Sequence, residues 1–133
     1  MEEGASEYDL CGTIIGLGMK VHSVLGPGFL ESVYRNALAV ELKRSEVSFE
    51  SEKPITVRYE DEIVGSFTAD LFVSEQIIIE LKATLTIAKA HEVQLVNYLT
   101  ATGIDDGLLL NFGAARFEFK RKYRRPKTAE VLF

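Results

Sequence analysis

The stretch that most constrains the fold is residues 68–83, in which charged residues interrupt apolar segments. It predicts two strands joined by a short polar loop, and the second strand is so apolar that both its faces should be buried. That strand nevertheless contains Glu80 and Lys82, and the first strand contains Asp70. Charges in a central strand are costly to desolvate unless they are paired or hold a metal ion. The stretch therefore indicates a functional site.

The alternation of side chains along a strand predicts which of these residues can meet. One face of the second strand should present Ile78, Glu80 and Lys82, and the other, facing the deeper core, Ile77, Ile79, Leu81 and Ala83. On the first strand, one face should present Ser66, Thr68, Asp70 and Phe72. Asp70 can lie beside Glu80 only if directly opposed residues of the two strands have numbers that are both even or both odd, such as 70 and 80. We therefore expect a bulge or a loop with an odd number of residues, such as residues 74–76.

Length and charge define the general class. The 133 residues predict one domain at 9–122, between an N-terminal tail at 1–8 and a basic C-terminal tail at 123–133. The net charge of −5 argues against a nonspecific polycation. No apolar run approaches the length of a membrane span, and the acidic N-terminus lacks the pattern of a signal peptide. The single cysteine, Cys11, cannot form an internal disulfide, so a reducing cytoplasm is expected.

Apolar spacing predicts three helices, at residues 9–25, 30–44 and 87–101. Strands are predicted at residues 54–59, 63–73, 76–83 and 107–112, with a last short strand around Phe117 and Phe119. The third helix should cross over and place the following strand parallel to its predecessor. The expected class is therefore α/β, with a mixed sheet flanked by helices. Gly12 and Gly16, one turn apart in the first helix, could form a smooth face for another element.

Asp70 and Glu80 supply the hard oxygen ligands that Mg²⁺ or Mn²⁺ prefers. Lys82 lies one pleat repeat beyond Glu80, so its ammonium could orient an attacking water or stabilise charge on a phosphorane-like transition state. The alternative is a cross-strand salt bridge between Lys82 and one of the two carboxylates.

Further candidates lie on the predicted helices. On the third helix, helical spacing places His91, Gln94 and Tyr98 in one stripe, either facing the site or as the polar rim of an amphipathic helix. On the second helix, Glu31 and Tyr34 share a face, although a carboxylate in a first turn is also favoured by the helix dipole. His22 is another candidate, with a packing or capping role as the alternative.

Several separated motifs together resemble the GxxExxY proteins, a family assigned to the PD-(D/E)XK nuclease superfamily. The matching residues, in chain order, are Val21-His22, Leu25-Gly26-Pro27-Gly28, Glu31, Tyr34, Ala69-Asp70-Leu71, Ile79-Glu80-Leu81-Lys82-Ala83, His91, Gln94, Tyr98 and Gly107-Leu108-Leu109-Leu110-Asn111-Phe112. The resemblance implies a restriction-endonuclease-like αβββαβ core preceded by one extra N-terminal helix.

The resemblance also implies roles. Asp70 matches the metal aspartate of the superfamily, and Glu80 and Lys82 match its E-x-K pair. Gln94 and Tyr98 fit the motif of the RecB-like and phage-exonuclease-like branch, and Glu31 fits a helical glutamate that some members add as a metal ligand.

The leading hypothesis is a Mg²⁺- or Mn²⁺-dependent nuclease, with DNA as the favoured substrate. Its metal ligands would be Glu31, Asp70, Glu80 and the carbonyl of Leu81, and the catalytic residues would include Lys82, Gln94 and Tyr98. Substrate contacts are expected from Tyr34, His91, Lys120, Arg121, Lys122, Arg124 and Arg125. One alternative is a catalytically silent nucleic-acid-binding or assembly module, in which the basic tail supplies phosphate contacts unless it is only a solvated charge run. Another is a nuclease that acts within a homo-oligomer or a larger repair or defence complex.

Overall fold

The structure is a computed structural model that describes residues 2–125, with only the helical backbone described for residues 2–9. Its elements follow the predicted order: α1 (Glu2–Leu25), α2 (Glu31–Arg44), β1 (Phe49–Tyr59), β2 (Glu62–Val73), β3 (Ile77–Lys82), α3 (Lys89–Thr102), β4 (Asp106–Asn111) and β5 (Glu118–Tyr123). The strands form one sheet in the order β1-β2-β3-β4-β5. Only the β3–β4 pair, joined through α3, is parallel. The predicted α/β class with a mixed sheet is confirmed.

Some predicted boundaries were wrong at the ends of the domain. The first helix begins at Glu2 rather than at about residue 9, because a helix can continue through residues of adequate propensity without an apolar face. Tyr123, the first residue of the predicted basic tail, instead belongs to β5, which pairs with β4 along its whole length. The remainder of the predicted tail, residues 126–133, lies outside the described residues.

The sheet separates two apolar cores. The larger core lies between the sheet and the α1–α2 pair, and it includes Ile77, Ile79 and Leu81 of β3, as predicted for the deeper face. The smaller core lies under α3 and joins Ile78 to Leu95, Leu99 and other residues. Both faces of β3 are therefore buried, which makes any charge on this strand expensive. No helix among residues 2–125 is long and apolar enough to cross a membrane.

The glycines of α1 have different surroundings. A Cβ at Gly12 or Gly16 would meet nothing within 4 Å, so the predicted close approach of another element at these two positions is wrong. Gly18 is the packed position, because a Cβ there would lie 2.7 Å from the ring of Phe117. The approach between α1 and the segment before β5 therefore depends on Gly18.

Alanine substitutions in α1 should separate these two situations. Gly12→Ala should raise the free energy of unfolding by about 0.5–1 kcal/mol, because it improves helix propensity without a clash. Gly18→Ala should lower it by about 1–3 kcal/mol, because the Phe117 ring must move. Urea denaturation of both variants measures the difference, and equal effects would contradict the packing of α1 described here.

Candidate active site

The centre of the candidate site is a gap between two neighbouring strands. The β2–β3 ladder pairs Leu71 with Ile79 and Val73 with Ile77, and the three residues 74–76 form the loop. This register and the odd loop length confirm the prediction. The paired segment is short, although β2 reaches back to Glu62 and β3 continues to Lys82. Beyond Leu71 and Ile79 the strands part, and Asp70 and Glu80 are the first residues at the opening.

Side chains of Asp70 and Glu80 take over the bridging of the two strands. The backbone N–H of Leu81 donates to Asp70 Oδ2 at 2.8 Å. The backbone N–H of Asp70 donates to Glu80 Oε2 in a longer bond of 3.4 Å. Each carboxylate thus satisfies a backbone donor on the opposite strand, and the two acidic groups are brought together in the gap.

The alternation of β2 breaks next to Asp70. Ala69 and Phe72 both contribute to the core under α3, whereas Leu71 contributes to the other core. The prediction that Ser66, Thr68, Asp70 and Phe72 share one face is therefore wrong. Opposite Asp70, Glu52 of β1 has a left-handed backbone with φ 56°, and it is absent from the ladder between the pairs Ser51–Leu71 and Lys53–Ala69. Such irregularities re-aim side chains beside active sites, and here the irregularity accompanies the turn of Asp70 into the gap.

Burial and like charge together determine the electrostatics of the pair. Desolvation first, and the neighbouring Asp70 charge second, raise the pKa of Glu80 to about 8, although the N–H of Asp70 and the charge of Lys82 act in the opposite direction. Near neutral pH the Glu80 carboxyl group therefore keeps its proton. A divalent cation could replace that proton and offset both charges, so the pair fits a hard metal ion.

Lys82 is half-buried at the end of β3, near enough to Glu80 for its charge to influence that carboxyl group. Within residues 2–125 no carboxylate lies within 4 Å of its Nζ atom. The alternative of a salt bridge between Lys82 and Asp70 or Glu80 is therefore not realised. An ammonium held near Glu80 without a direct contact can approach a third group placed in the gap.

The buried side-chain amide of Asn111 fixes the chain just after Lys82. Asn111 Oδ1 accepts from the N–H groups of Thr84 and Gly113 at 3.0 and 3.1 Å, and Nδ2 donates to the carbonyl of Thr84 and to Glu118 at 2.9 Å each. A Cβ at Gly113 would lie 2.4 Å from the backbone of Ala83 and Thr84. Sequence reasoning gave Asn111 no role, although a fully buried Asn in an apolar strand is itself a signal of a specific network.

Tyr98 is the residue of α3 that reaches the site. Its ring stacks on Phe67 of β2 with centroids 3.4 Å apart. Its pKa is raised by burial first, and then by the charges of Glu80 and Asp70, which shows that the phenol lies in the field of the carboxylates. Gln94, one turn earlier, is exposed. His91 instead accepts the N–H of Ala88 through Nδ1 at 3.2 Å, so it completes the N-terminus of α3.

On α2 the predicted contributions were wrong in two respects. Glu31 is exposed in the first turn, and no group of three acidic, His or Cys side chains that could share a metal ion occurs in residues 2–125, so the predicted three-carboxylate cluster is not formed. Tyr34 is fully buried, its hydroxyl donates to Gly26 and accepts from Phe29, and its ring stacks on Phe112. It therefore anchors the α1–α2 turn and is not placed to touch a substrate.

Arg35, which sequence reasoning missed, brings a positive charge from α2 to the acidic pair. Its Nη1 atom lies 3.6 Å from Asp70 Oδ1. A single arginine on an amphipathic helix gives no signal in the sequence, because only the fold brings it to β2.

His22 has a packing role in the structure. Its Nε2 atom lies 2.9 Å from the carbonyl oxygen of Ala114, and its ring lies against Phe112 and Phe117. This geometry matches the alternative that was weighed against a role at the site.

Most of the basic residues at the end of the described chain are paired. Arg121 contacts Asp106, Lys122 contacts Glu92, Arg124 contacts Asp105, and Arg125 donates to Asn97. Lys120 is exposed and has no ion pair within the described range. Since β5 is an edge strand two positions from β3, about 10 Å across the sheet, these residues lie beside the acidic pair rather than in it.

The mixed sheet, the flanking helices and the acidic pair where two central strands part define a restriction-endonuclease-like fold. A family model described as the PD-(D/E)XK nuclease superfamily matches residues 8–125. The chain therefore belongs to this superfamily, as the motifs predicted. The finer assignments, to the GxxExxY family and to the RecB-like branch, stay predictions.

Among solved structures, the chain is similar to one titled "Crystal structure of SSO0001", with a TM-score of 0.59 and 18% sequence identity. The similarity covers 75% of this chain and 53% of that chain, so this chain spans about half the length of that protein. At this identity the similarity bears on the fold alone. A search of curated protein sequences found no match.

The raised pKa of Glu80 predicts a pH dependence of stability in the metal-free protein. The folded state keeps the proton up to a pKa of about 8, and the unfolded chain loses it near 4.5, so the group's stabilising effect is fully present below pH 4.5. The free energy of unfolding should then fall as pH rises from 4.5 to 8, by at most about 1.4 kcal/mol per pH unit.

Urea denaturation in EDTA at several pH values measures this dependence. Glu80→Gln cannot titrate and should give a shallower slope, whereas Glu92→Gln, which alters the half-buried ion pair with Lys122 outside the gap, should retain the slope of the unsubstituted protein. Identical slopes for the unsubstituted protein and Glu80→Gln would contradict the raised pKa of Glu80.

Proposed function

We propose that this chain is a Mg²⁺- or Mn²⁺-dependent phosphodiesterase that hydrolyses the backbone of nucleic acid, with DNA as the favoured substrate. The observation that carries the proposal is the meeting of Asp70 and Glu80 where β2 and β3 part. Lys82 lies at the end of β3, two residues beyond Glu80. Nucleases of the PD-(D/E)XK superfamily generally use divalent metals. Membership of that superfamily supports the same chemistry here.

Asp70 and Glu80 would hold the metal ion, and the carbonyl of Leu81 is the further ligand that we propose. When bound, such an ion supplies Lewis acidity, which polarises a phosphoryl oxygen and lowers the pKa of a water molecule. Glu31 is not a ligand in our proposal, because it is exposed and outside the acidic group.

Lys82 is proposed as the group that acts on the attacking water and on the phosphate. Its ammonium is free of carboxylate contacts within residues 2–125, so it can donate hydrogen bonds to a phosphate oxygen as negative charge develops there. With the proton lost, the same nitrogen could accept a proton from water. Tyr98 lies in the field of the carboxylates and could donate its phenolic proton to the phosphate, while exposed Gln94 could steady the nucleic acid.

The alternative of a silent binding module receives less support from the pairing of the basic residues. Arg121, Lys122 and Arg124 each contact a carboxylate, which reduces the positive charge they could offer to phosphates. The location in a reducing cytoplasm stays part of the proposal and is in keeping with the free, buried Cys11.

A cleavage assay tests the proposal with one catalytic variant and one matched control. Supercoiled plasmid, linear duplex and RNA would each be incubated with protein and Mg²⁺ or Mn²⁺, with EDTA as the blank. Lys82→Ala should reduce the rate by about 100-fold or more, because a positioned donor or acid–base group is lost. Lys43→Ala removes the same charge from the last turn of α2 and should cleave at the rate of the unsubstituted protein.

The possible results distinguish a nuclease from a contaminating activity and from a binding module. Cleavage that survives equally in Lys82→Ala would contradict the proposed role and point to a contaminant. Absence of cleavage by any variant, together with salt-dependent binding of nucleic acid that Lys82→Ala does not weaken, would favour the binding module.

A further inference from the structure

Arg35 is an arginine placed where folding alone would not prefer one. Its side chain is only 18% exposed, and its Nε atom is buried with no hydrogen-bond partner in residues 2–125. Leaving a buried N–H donor unpaired costs folding free energy, because its hydrogen bond to water is lost without replacement. Tyr34, next to it on α2, is fixed in the core, so the start of the Arg35 side chain is held firmly.

The guanidinium lies between two carboxylates on different strands. Its Nη2 atom contacts Glu52 Oε2 at 2.8 Å, and its Nη1 atom lies 3.6 Å from Asp70 Oδ1. The contact with Glu52 is a close ion pair, while the contact with Asp70 is an electrostatic attraction beyond hydrogen-bond distance. The planar fork of an arginine can serve two acceptors at once, which a lysine cannot do with the same geometry.

Glu52 also has an unusual backbone. Its φ of 56° is in the left-handed region, which a non-glycine residue adopts at a cost in the middle of a strand. It lies across from Asp70, where β2 loses its regular alternation. The irregular residues of β1 and β2 therefore both face the Arg35 guanidinium.

Both carboxylate oxygens of Asp70 then have a defined neighbour. Oδ2 accepts the N–H of Leu81, and Oδ1 faces Arg35. We propose that Arg35 is a positioning residue, which, with Glu52 as its anchor, holds the Asp70 carboxylate in the orientation that the metal site requires. This inference rests on the proposed function, because it assigns Arg35 a part in the nuclease reaction that it exerts only through Asp70.

Arg35→Gln tests the inference, and Arg44→Gln is the matched control on the same helix, about 13 Å further along its axis. The first readout is the Mn²⁺ dissociation constant from isothermal titration calorimetry. Loss of a group that orients a metal ligand should weaken binding by about 10–100-fold. Glu52→Gln should weaken it in the same direction by less, and adding it to Arg35→Gln should change little more, because both act through one arrangement.

The second readout needs no metal. Hydrogen exchange of the Leu81 amide, measured by NMR in EDTA, reports on its bond to Asp70. The amide of Ile79, a residue with a ladder partner on each neighbouring strand, serves as the internal reference. Arg35→Gln should accelerate exchange at Leu81 by about 10-fold relative to Ile79. This factor corresponds to a decrease of about 1.4 kcal/mol in the free energy of the local opening that exposes the Leu81 amide. Arg44→Gln should leave the ratio unchanged.

Weaker Mn²⁺ binding with faster Leu81 exchange, in Arg35→Gln but not in Arg44→Gln, would bear the inference out. Unchanged or tighter Mn²⁺ binding in Arg35→Gln would overturn it, since Arg35 would then be a spectator or a competitor of the metal. An unchanged Leu81-to-Ile79 ratio would also overturn it, whatever the metal does. If the unsubstituted protein bound no Mn²⁺, the proposed function would fail, and the exchange ratio would still decide whether Arg35 holds Asp70.

Discussion

The candidate site depends on one interaction: two carboxylates replace backbone pairing where β2 and β3 separate. Sheets rarely leave central strands unpaired, because each lost ladder bond leaves polar groups without partners. Here Asp70 accepts from Leu81 and Glu80 accepts from Asp70, so the parting of the strands and the meeting of the acidic groups are the same structural event. The arrangement satisfies backbone donors and at the same time creates a local excess of negative charge.

The rest of the fold makes that excess tolerable. Apolar residues on both faces of β3 belong to two separate cores, which hold the strand in place while its polar residues stay at the opening. Arg35 approaches from α2, and Lys82 from the end of β3, while Asn111 and Gly113 fix the chain that follows. The site is thus bounded by parts of α2, β1, β2, β3 and α3. A small domain can supply a rigid acidic pair in this way without a dedicated loop.

The sequence was informative where burial and charge conflict. An apolar strand that contains Glu80 and Lys82 signals a site, and the hypothesis that Asp70 meets Glu80 required, by strand parity, the odd loop length that the structure has. The predicted alternation of faces along β2 was wrong for the residues before Asp70. Neither Glu52 nor Asp70 is a glycine or proline, so nothing at these positions marks the irregularity that Glu52 introduces. The local pattern of a strand cannot reveal a distortion that arises from its neighbour.

Other errors have a similar origin. The ion pairs of Arg121, Lys122 and Arg124 could not be predicted from the sequence, because their acidic partners lie on β4, α3 and the loop before β4, far away in sequence. Tyr34 lies on the helix face expected of a site residue, but its hydroxyl is hydrogen-bonded to Gly26 and Phe29 in the turn that it anchors. Arg35 could not be singled out, since only tertiary contacts distinguish it from any other arginine of an amphipathic helix.

The central claim is that Asp70 and Glu80 form one cation site at the opening between the strands. A crystal structure of the protein grown with Mn²⁺, with anomalous diffraction recorded at the manganese edge, tests it most directly. Our account predicts an anomalous peak within about 2–2.5 Å of a carboxylate oxygen of each residue. A peak elsewhere, or no peak in the gap at saturating Mn²⁺, would contradict it.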